Sequence, residues 1–92
     1  MLNTDTFGKE GDTMLSDDEL RKNIRENLAY LRAKAGLTQS DVADLVGKKA
    51  TTVASWEQGL SLPDLQTLYR LSIYYRRALE FFYEHKQTDP DE

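Results

Sequence analysis

Cysteine is absent from this chain, and histidine occurs once, at His85. Without cysteine there are no disulfides, no thiolate metal sites and no thiol nucleophile, and a single histidine cannot build a multi-histidine metal cluster. Neither a metal nor a cofactor is therefore expected. Long apolar runs are also lacking. None approaches the ~18 residues that cross a bilayer, so no membrane partner is expected. The stretch from Met1 to Asp18 is polar and acidic, which excludes a secretory signal or a transit peptide and implies a cytoplasmic protein. An enzyme would need a pocket of convergent titratable groups. Here the carboxylates read as helix caps or solvated charges, so no catalysis is expected.

Positive charge is not in excess either. The net charge of -4 argues at first sight against a nucleic-acid partner, but its distribution matters more than its sum. Residues 1–19 hold one Lys and six Asp or Glu, residues 20–86 hold eleven Lys or Arg against seven acids, and residues 87–92 hold three acids. The acidity belongs to the ends, and the middle is mildly basic. Those ends carry Gly8, Gly11 and Pro90 with few apolar residues. Residues 1–15 and 87–92 therefore read as mobile acidic tails around one domain at 16–86. A chain of this size supports a single modest core, burying roughly 60–65% of its unfolded surface.

What is present is helical periodicity. Ser16-Asp17-Asp18-Glu19 forms a capping box, and Leu20, Ile24, Leu28, Leu31 and Ala35 then recur along one helix face until Gly36. Thr38 caps a second helix with Asp41 in its first turn, and Val42, Ala43, Leu45 and Val46 offer a buried face before Gly47. A third short helix fits Ala50 to Glu57, with Val53 and Trp56 on one side and Gln58-Gly59 as a stop. Asp64 caps a fourth, whose stripe is Leu65, Leu68, Leu71 and Tyr75 with Tyr69 beside it. Ala78 to His85 reads as a fifth, with Leu79, Phe82 and Phe81 or Tyr83 available for burial.

Two short helices joined by a Gly-containing turn cannot bury their faces alone, and helices one, four and five complete a helix-turn-helix unit. Gly36-Leu37-Thr38-Gln39, Val42-Ala43, Leu45-Val46-Gly47, Val53, Trp56-Glu57-Gln58-Gly59, Pro63 and Leu65-Gln66-Thr67-Leu68 closely resemble the phage repressor and Cro family, often called XRE-like regulators. The match spans about residues 20–83. The resemblance implies an all-α, compact five-helix bundle of the lambda-repressor-like type. It also implies a transcriptional regulator, expected to be a repressor, whose third helix enters the major groove of double-stranded DNA.

Position by position, the resemblance assigns Gln39 to a phosphate clamp aided by the positive end of the second helix. Ala50, Thr51, Ala54 and Ser55 match positions that face base edges. Their short side chains offer hydroxyl and methyl contacts but no bidentate pair with a base, so direct readout should be weak. Thr52, like Thr51, reads either as a DNA contact or as a plain solvent-facing residue. Lys48 and Lys49 flank the third helix, where ammonium groups could meet phosphates or simply be solvated. Arg32 and Glu57 match a salt bridge that ties the first helix to the end of the third, and Trp56 reads as core.

Three departures from the family pattern stand out. Lys48 replaces a branched apolar turn residue, and Lys49 replaces the Ser or Thr cap, so the start of the third helix should be loosely held. Arg76-Arg77 stands where Gly or Asn usually ends the fourth helix, so that helix is expected to run on or bend. The last segment is unusually aromatic. Tyr74, Tyr75, Phe81 and Tyr83 read either as a partner interface, most simply a homodimer's, or as the completion of a small core. A second functional class stays open beside DNA binding, namely a helix-turn-helix fold that binds a protein partner through its C-terminal aromatic face.

Overall fold

A computed structural model describes residues 14–84 as five helices without strands. They are α1 (Asp17–Lys34), α2 (Gln39–Val46), α3 (Ala50–Gln58), α4 (Leu65–Tyr75) and α5 (Glu80–Tyr83). The expected tails lie mostly, and His85 wholly, outside the described residues.

Local chemistry sets the helix starts. Ser16 Oγ accepts from the Glu19 amide at 3.1 Å while Glu19 accepts from the Ser16 amide at 2.9 Å. Thr38 and Asp41 repeat that reciprocal box at 3.0 and 2.9 Å. Asp64 caps α4 by accepting from the Thr67 amide at 2.8 Å. Lys49 stands at the α3 N-cap with no side-chain hydrogen bond, so that helix starts without the side-chain cap that α1, α2 and α4 have. Each satisfied cap is worth about 1 kcal/mol.

The core gathers Ile24, Leu28 and Leu31 of α1, Val42, Ala43 and Val46 of α2, Val53 and Trp56 of α3, Leu68 and Leu71 of α4, and Phe82 of α5. Trp56 is core, as its spacing from Val53 implies. Each buried Val, Leu, Ile or Phe among them contributes roughly 1.5–3 kcal/mol by leaving water. Of the expected core positions, Leu45, Leu65 and Tyr69 are exposed instead. Val42, Ala43 and Val46 point α2 inward, which turns Leu45 outward. Thr67, Leu68, Leu71 and Ser72 do the same for α4, leaving Leu65 and Tyr69 on the far side. Ala35, expected at the end of the α1 stripe, is the exposed C-cap.

Helix α5 is shorter than the expected 78–85, because Ala78 and Leu79 belong to the connection before it. Four residues cannot hold a helix alone. Two buried asparagines of α1 supply the missing support. Asn27 Nδ2 donates to the carbonyls of Phe81 (2.8 Å), Phe82 (3.2 Å) and Glu84 (2.8 Å), and Asn23 Nδ2 donates to that of Tyr83 at 2.9 Å. These include terminal carbonyls, which at a helix end find no intrahelical N–H donor.

Helix α4 does not run on. Arg76 takes a left-handed conformation, φ 57° and ψ 46°, and the Arg77 amide reaches back to the Ser72 carbonyl at 3.0 Å. The same six-to-one closure follows α3, where Gly59 has φ 79° and the Leu60 amide bonds the Ser55 carbonyl at 2.9 Å. Glycine suits Gly59 on both counts, since a Cβ there would lie 3.2 Å from Arg25 Cδ. Arginine at 76 adopts the same geometry at a steric cost of about 1–2 kcal/mol.

Candidate nucleic-acid interface

Helices α2 and α3 pack on each other through the Gly47-Lys48-Lys49 turn. Gly47 permits this turn by taking φ 70°, and the Lys48 amide closes on the Ala43 carbonyl at 2.9 Å. The outward side of α3 is the one opposite Val53 and Trp56. Ala50, Thr51 and Gln58 are exposed there, while Thr52, Ala54 and Ser55 are half-buried.

Glu57 organises the junction between the helices. Arg32 Nε and Nη2 donate to its two carboxylate oxygens at 2.7 and 2.9 Å, and Gln39 Nε2 donates to Oε1 at 3.0 Å. Arg32 Nη1 also donates to the Leu37 carbonyl at 2.9 Å. Side-chain exposures of 22% for Arg32 and 9% for Glu57 make this a half-buried pair. The hydrogen bond to Glu57 raises the Arg32 pKa above its ordinary value, so the guanidinium stays charged and neutralises the carboxylate. Nearby, burial together with the Glu57 charge pushes the Tyr75 phenol up to about 12.

This arrangement leaves Gln39 equipped for an anion. One of its two Nε2 hydrogens is used by Glu57, and the second is left for another acceptor. Gln39 is also the first residue of α2, where backbone N–H groups lack intrahelical acceptors and the helix dipole is positive. A phosphate oxygen fits both features.

The remaining expected positions divide. Lys49, Ala50 and Thr51 are exposed beside one another at the start of α3. Lys48 is exposed too, but its Nζ lies 3.7 Å from Asp64 Oδ2, so an ammonium–phosphate contact there competes with a surface pair. Ser55 Oγ lies 2.7 Å from Ser61 Oγ, a contact that ties α3 to the loop after it. Gln58 has a long amide on the outward side of α3, and sequence reasoning treated it only as a helix stop. Its i+7 spacing from Thr51 is the signal that would have found it.

The aromatic positions do not form one patch. Tyr74 is exposed and meets Tyr75 edge-on at 5.4 Å, whereas Tyr75 is half-buried. Phe81 stacks on Tyr30 at 6.5 Å with the Arg77 guanidinium 5.3 Å from its ring centre. Tyr83 packs partly against the core and Phe82 is wholly buried. Among the described residues there is no group of His, Cys, Asp or Glu side chains that could hold a metal ion, and no helix long and apolar enough to cross a membrane.

Two short helices, a left-handed glycine turn and an outward third helix braced by a charged network define a helix-turn-helix domain. The HTH_3 helix-turn-helix family matches residues 28–82, and the chain belongs to that family of XRE-type, DNA-binding transcription regulators. Solved structures agree. The SOS-response transcriptional repressor LexA from Eubacterium rectale is similar at 25% identity and TM-score 0.70, over 86% of this chain and 83% of that one. A transcriptional regulator from Listeria innocua is similar at 28% identity and TM-score 0.64, over 75% and 64%. An HTH_3 family transcriptional regulator from Vibrio cholerae is similar at 25% identity and TM-score 0.63, over 74% of this chain but 38% of its own. No curated protein sequence matches the chain.

Proposed function

We propose that this chain is a cytoplasmic, sequence-specific repressor that reads double-stranded DNA as a homodimer, with α3 in the major groove. The observation that carries the reading is the Arg32–Glu57–Gln39 network, which fixes the phosphate-facing end of α2 to α3. Gln39 clamps a phosphate with its second Nε2 hydrogen and its backbone amide, while Lys49 adds a point charge. Ala50, Thr51 and Ala54 approach the base edges, so the preference rests on thymine methyls, one hydroxyl and DNA shape. Lys48, Thr52 and Ser55 play lesser parts, since each is paired or half-buried. The description of the E. rectale protein as a repressor supports the sign of regulation.

Residue-resolved binding tests these roles. Gln39→Ala should weaken every duplex about equally, whereas Thr51→Ala should flatten preference at one base pair. A Gln39→Ala loss confined to one sequence, or an unchanged preference profile in Thr51→Ala, would contradict the respective role. A second reading is favoured by the exposed Tyr69 and Tyr74, namely a protein-interaction module on this fold. It requires association that is insensitive to salt and no affinity for duplex DNA.

A further inference from the structure

A helix lying in the major groove runs between two sugar-phosphate walls, and backbone contacts near both of its ends fix its orientation. Near the N-terminal end of α3 stand Gln39, Lys48 and Lys49. The C-terminal end has no cation of its own, because residues 50–69 contain neither Lys nor Arg. Helix α1 brings one there. It packs on α3, and Arg25 lies two turns before Arg32 on the same α1 face. Where Arg32 reaches Glu57 inside α3, Arg25 reaches the glycine that closes that helix. A Cβ on Gly59 would lie 3.2 Å from Arg25 Cδ and 3.5 Å from its Nε, so the arginine stem crosses the bare backbone of the C-cap. Arg25 is half-buried, while Gly59 and its neighbours Gln58 and Leu60 are exposed. Among the described residues nothing accepts a hydrogen bond or an ion pair from the Arg25 guanidinium.

We propose that Arg25 is a second phosphate anchor, gripping the DNA backbone beside the C-terminal end of α3 as Gln39 grips it at the start of α2. Its stem lies against Gly59, so the guanidinium loses less freedom on binding than it would from an open helix face. Its five N–H donors are uncommitted, and a phosphate offers a planar guanidinium two oxygens at once. The negative end of the α3 dipole draws a cation to this position, but no carbonyl there takes up its hydrogens. Arg21, one turn earlier and exposed, extends the positive edge, although Asp17 one turn before it offsets part of that charge. The inference rests on the DNA reading proposed above and names a contact that the resemblance did not assign. It also suits the short side chains on the base-facing side of α3. Where direct readout is weak, phosphate contacts carry most of the affinity.

Binding of the full chain to a fluorescent pool of random-sequence duplexes, followed from about 50 to about 200 mM salt, tests the anchor without a known operator. Arg25→Ala should weaken binding roughly tenfold at the lowest salt, and reduce the slope of log affinity against log salt by about 0.9 for each bound chain. Arg25→Gln, which keeps part of the stem over Gly59, should do the same. Arg25→Lys should restore most of the slope, since an ammonium also neutralises one phosphate. Arg70→Ala removes the same charge from the exposed side of α4 and should leave the slope unchanged. A native far-UV spectrum is required of every variant. An affinity loss in Arg25→Ala and Arg25→Gln without a change of slope would mark a merely structural role and overturn the inference. An equal change of slope in Arg70→Ala would reduce it to an effect of net charge and overturn it too. A wild-type chain that binds no duplex at any salt would overturn the DNA reading and this inference with it, whereas a wild type that binds beside variants of unchanged slope overturns this inference alone.

Discussion

Glu57→Ala is the most informative single change, because the Glu57 carboxylate accepts from Arg32 Nε, Arg32 Nη2 and Gln39 Nε2 at 2.7, 2.9 and 3.0 Å. Its loss leaves the Arg32 guanidinium its bond to the Leu37 carbonyl at 2.9 Å. Breaking a fully buried pair in this way costs about 3–5 kcal/mol. Arg32 is 22% exposed, so water takes up part of the stranded charge and the expected cost falls to about 2–3 kcal/mol. A folded segment of this size has only ~4–10 kcal/mol of stability, and the loss should lower Tm by about 10–20 °C. Arg32→Ala should cost at least as much, since it strands the more buried partner. The double variant should then be less damaged than the two singles together, with a coupling of about 1–3 kcal/mol. Urea denaturation followed by circular dichroism, with the m-value unchanged, measures all three. A loss below about 0.5 kcal/mol for Glu57→Ala, or a double variant equal to the sum of the singles, would refute the reasoning.

Asn27→Ala should cost about 2–4 kcal/mol, by leaving a cavity and uncovering three carbonyls, and should abolish amide-exchange protection in α5 before the other helices; unchanged protection there would contradict the proposed anchoring. Arg76→Gly should stabilise the fold by about 0.5–1 kcal/mol in thermal unfolding, since relief of the left-handed strain exceeds the entropy that glycine adds to the unfolded chain. Hydrogen bonds from Thr38 to Asp41 and from Thr67 to Asp64 hold both carboxylates below their ordinary value of 3.8. The unfolded chain then takes up protons first, so this stabilisation is present above about pH 4 and is lost as pH falls through each lower folded value. Asp41→Asn and Asp64→Asn should each flatten the acid limb of Tm against pH.

The helix starts were legible because their causes are local. Ser16 with Glu19, Thr38 with Asp41, and Asp64 each act within one turn, and the structure shows those bonds. Gly36, Gly47 and Gly59 likewise mark left-handed ends. Arg76 hid the fourth such end, because nothing in an Arg-Arg pair announces a positive φ that tertiary packing imposes. The asparagine anchors were invisible for a related reason: their acceptors lie 54 to 60 residues away in sequence. Periodicity finds an apolar stripe but does not say which edge of it is covered, and Leu45, Leu65 and Tyr69 fell on the uncovered edge. At the site, resemblance supplied Arg32, Glu57 and Gln39. It did not supply the bond from Gln39 to Glu57, nor the contact between the Ser55 and Ser61 hydroxyls.

The central claim is that α3 reads duplex DNA, and selection of the purified chain against a random double-stranded library, sequenced at low and physiological salt, tests it most directly. The expected result is an enriched two-fold symmetric site with half-sites about one helical turn apart, bound with an affinity that falls steeply as salt rises. Absence of binding even at low salt would contradict it.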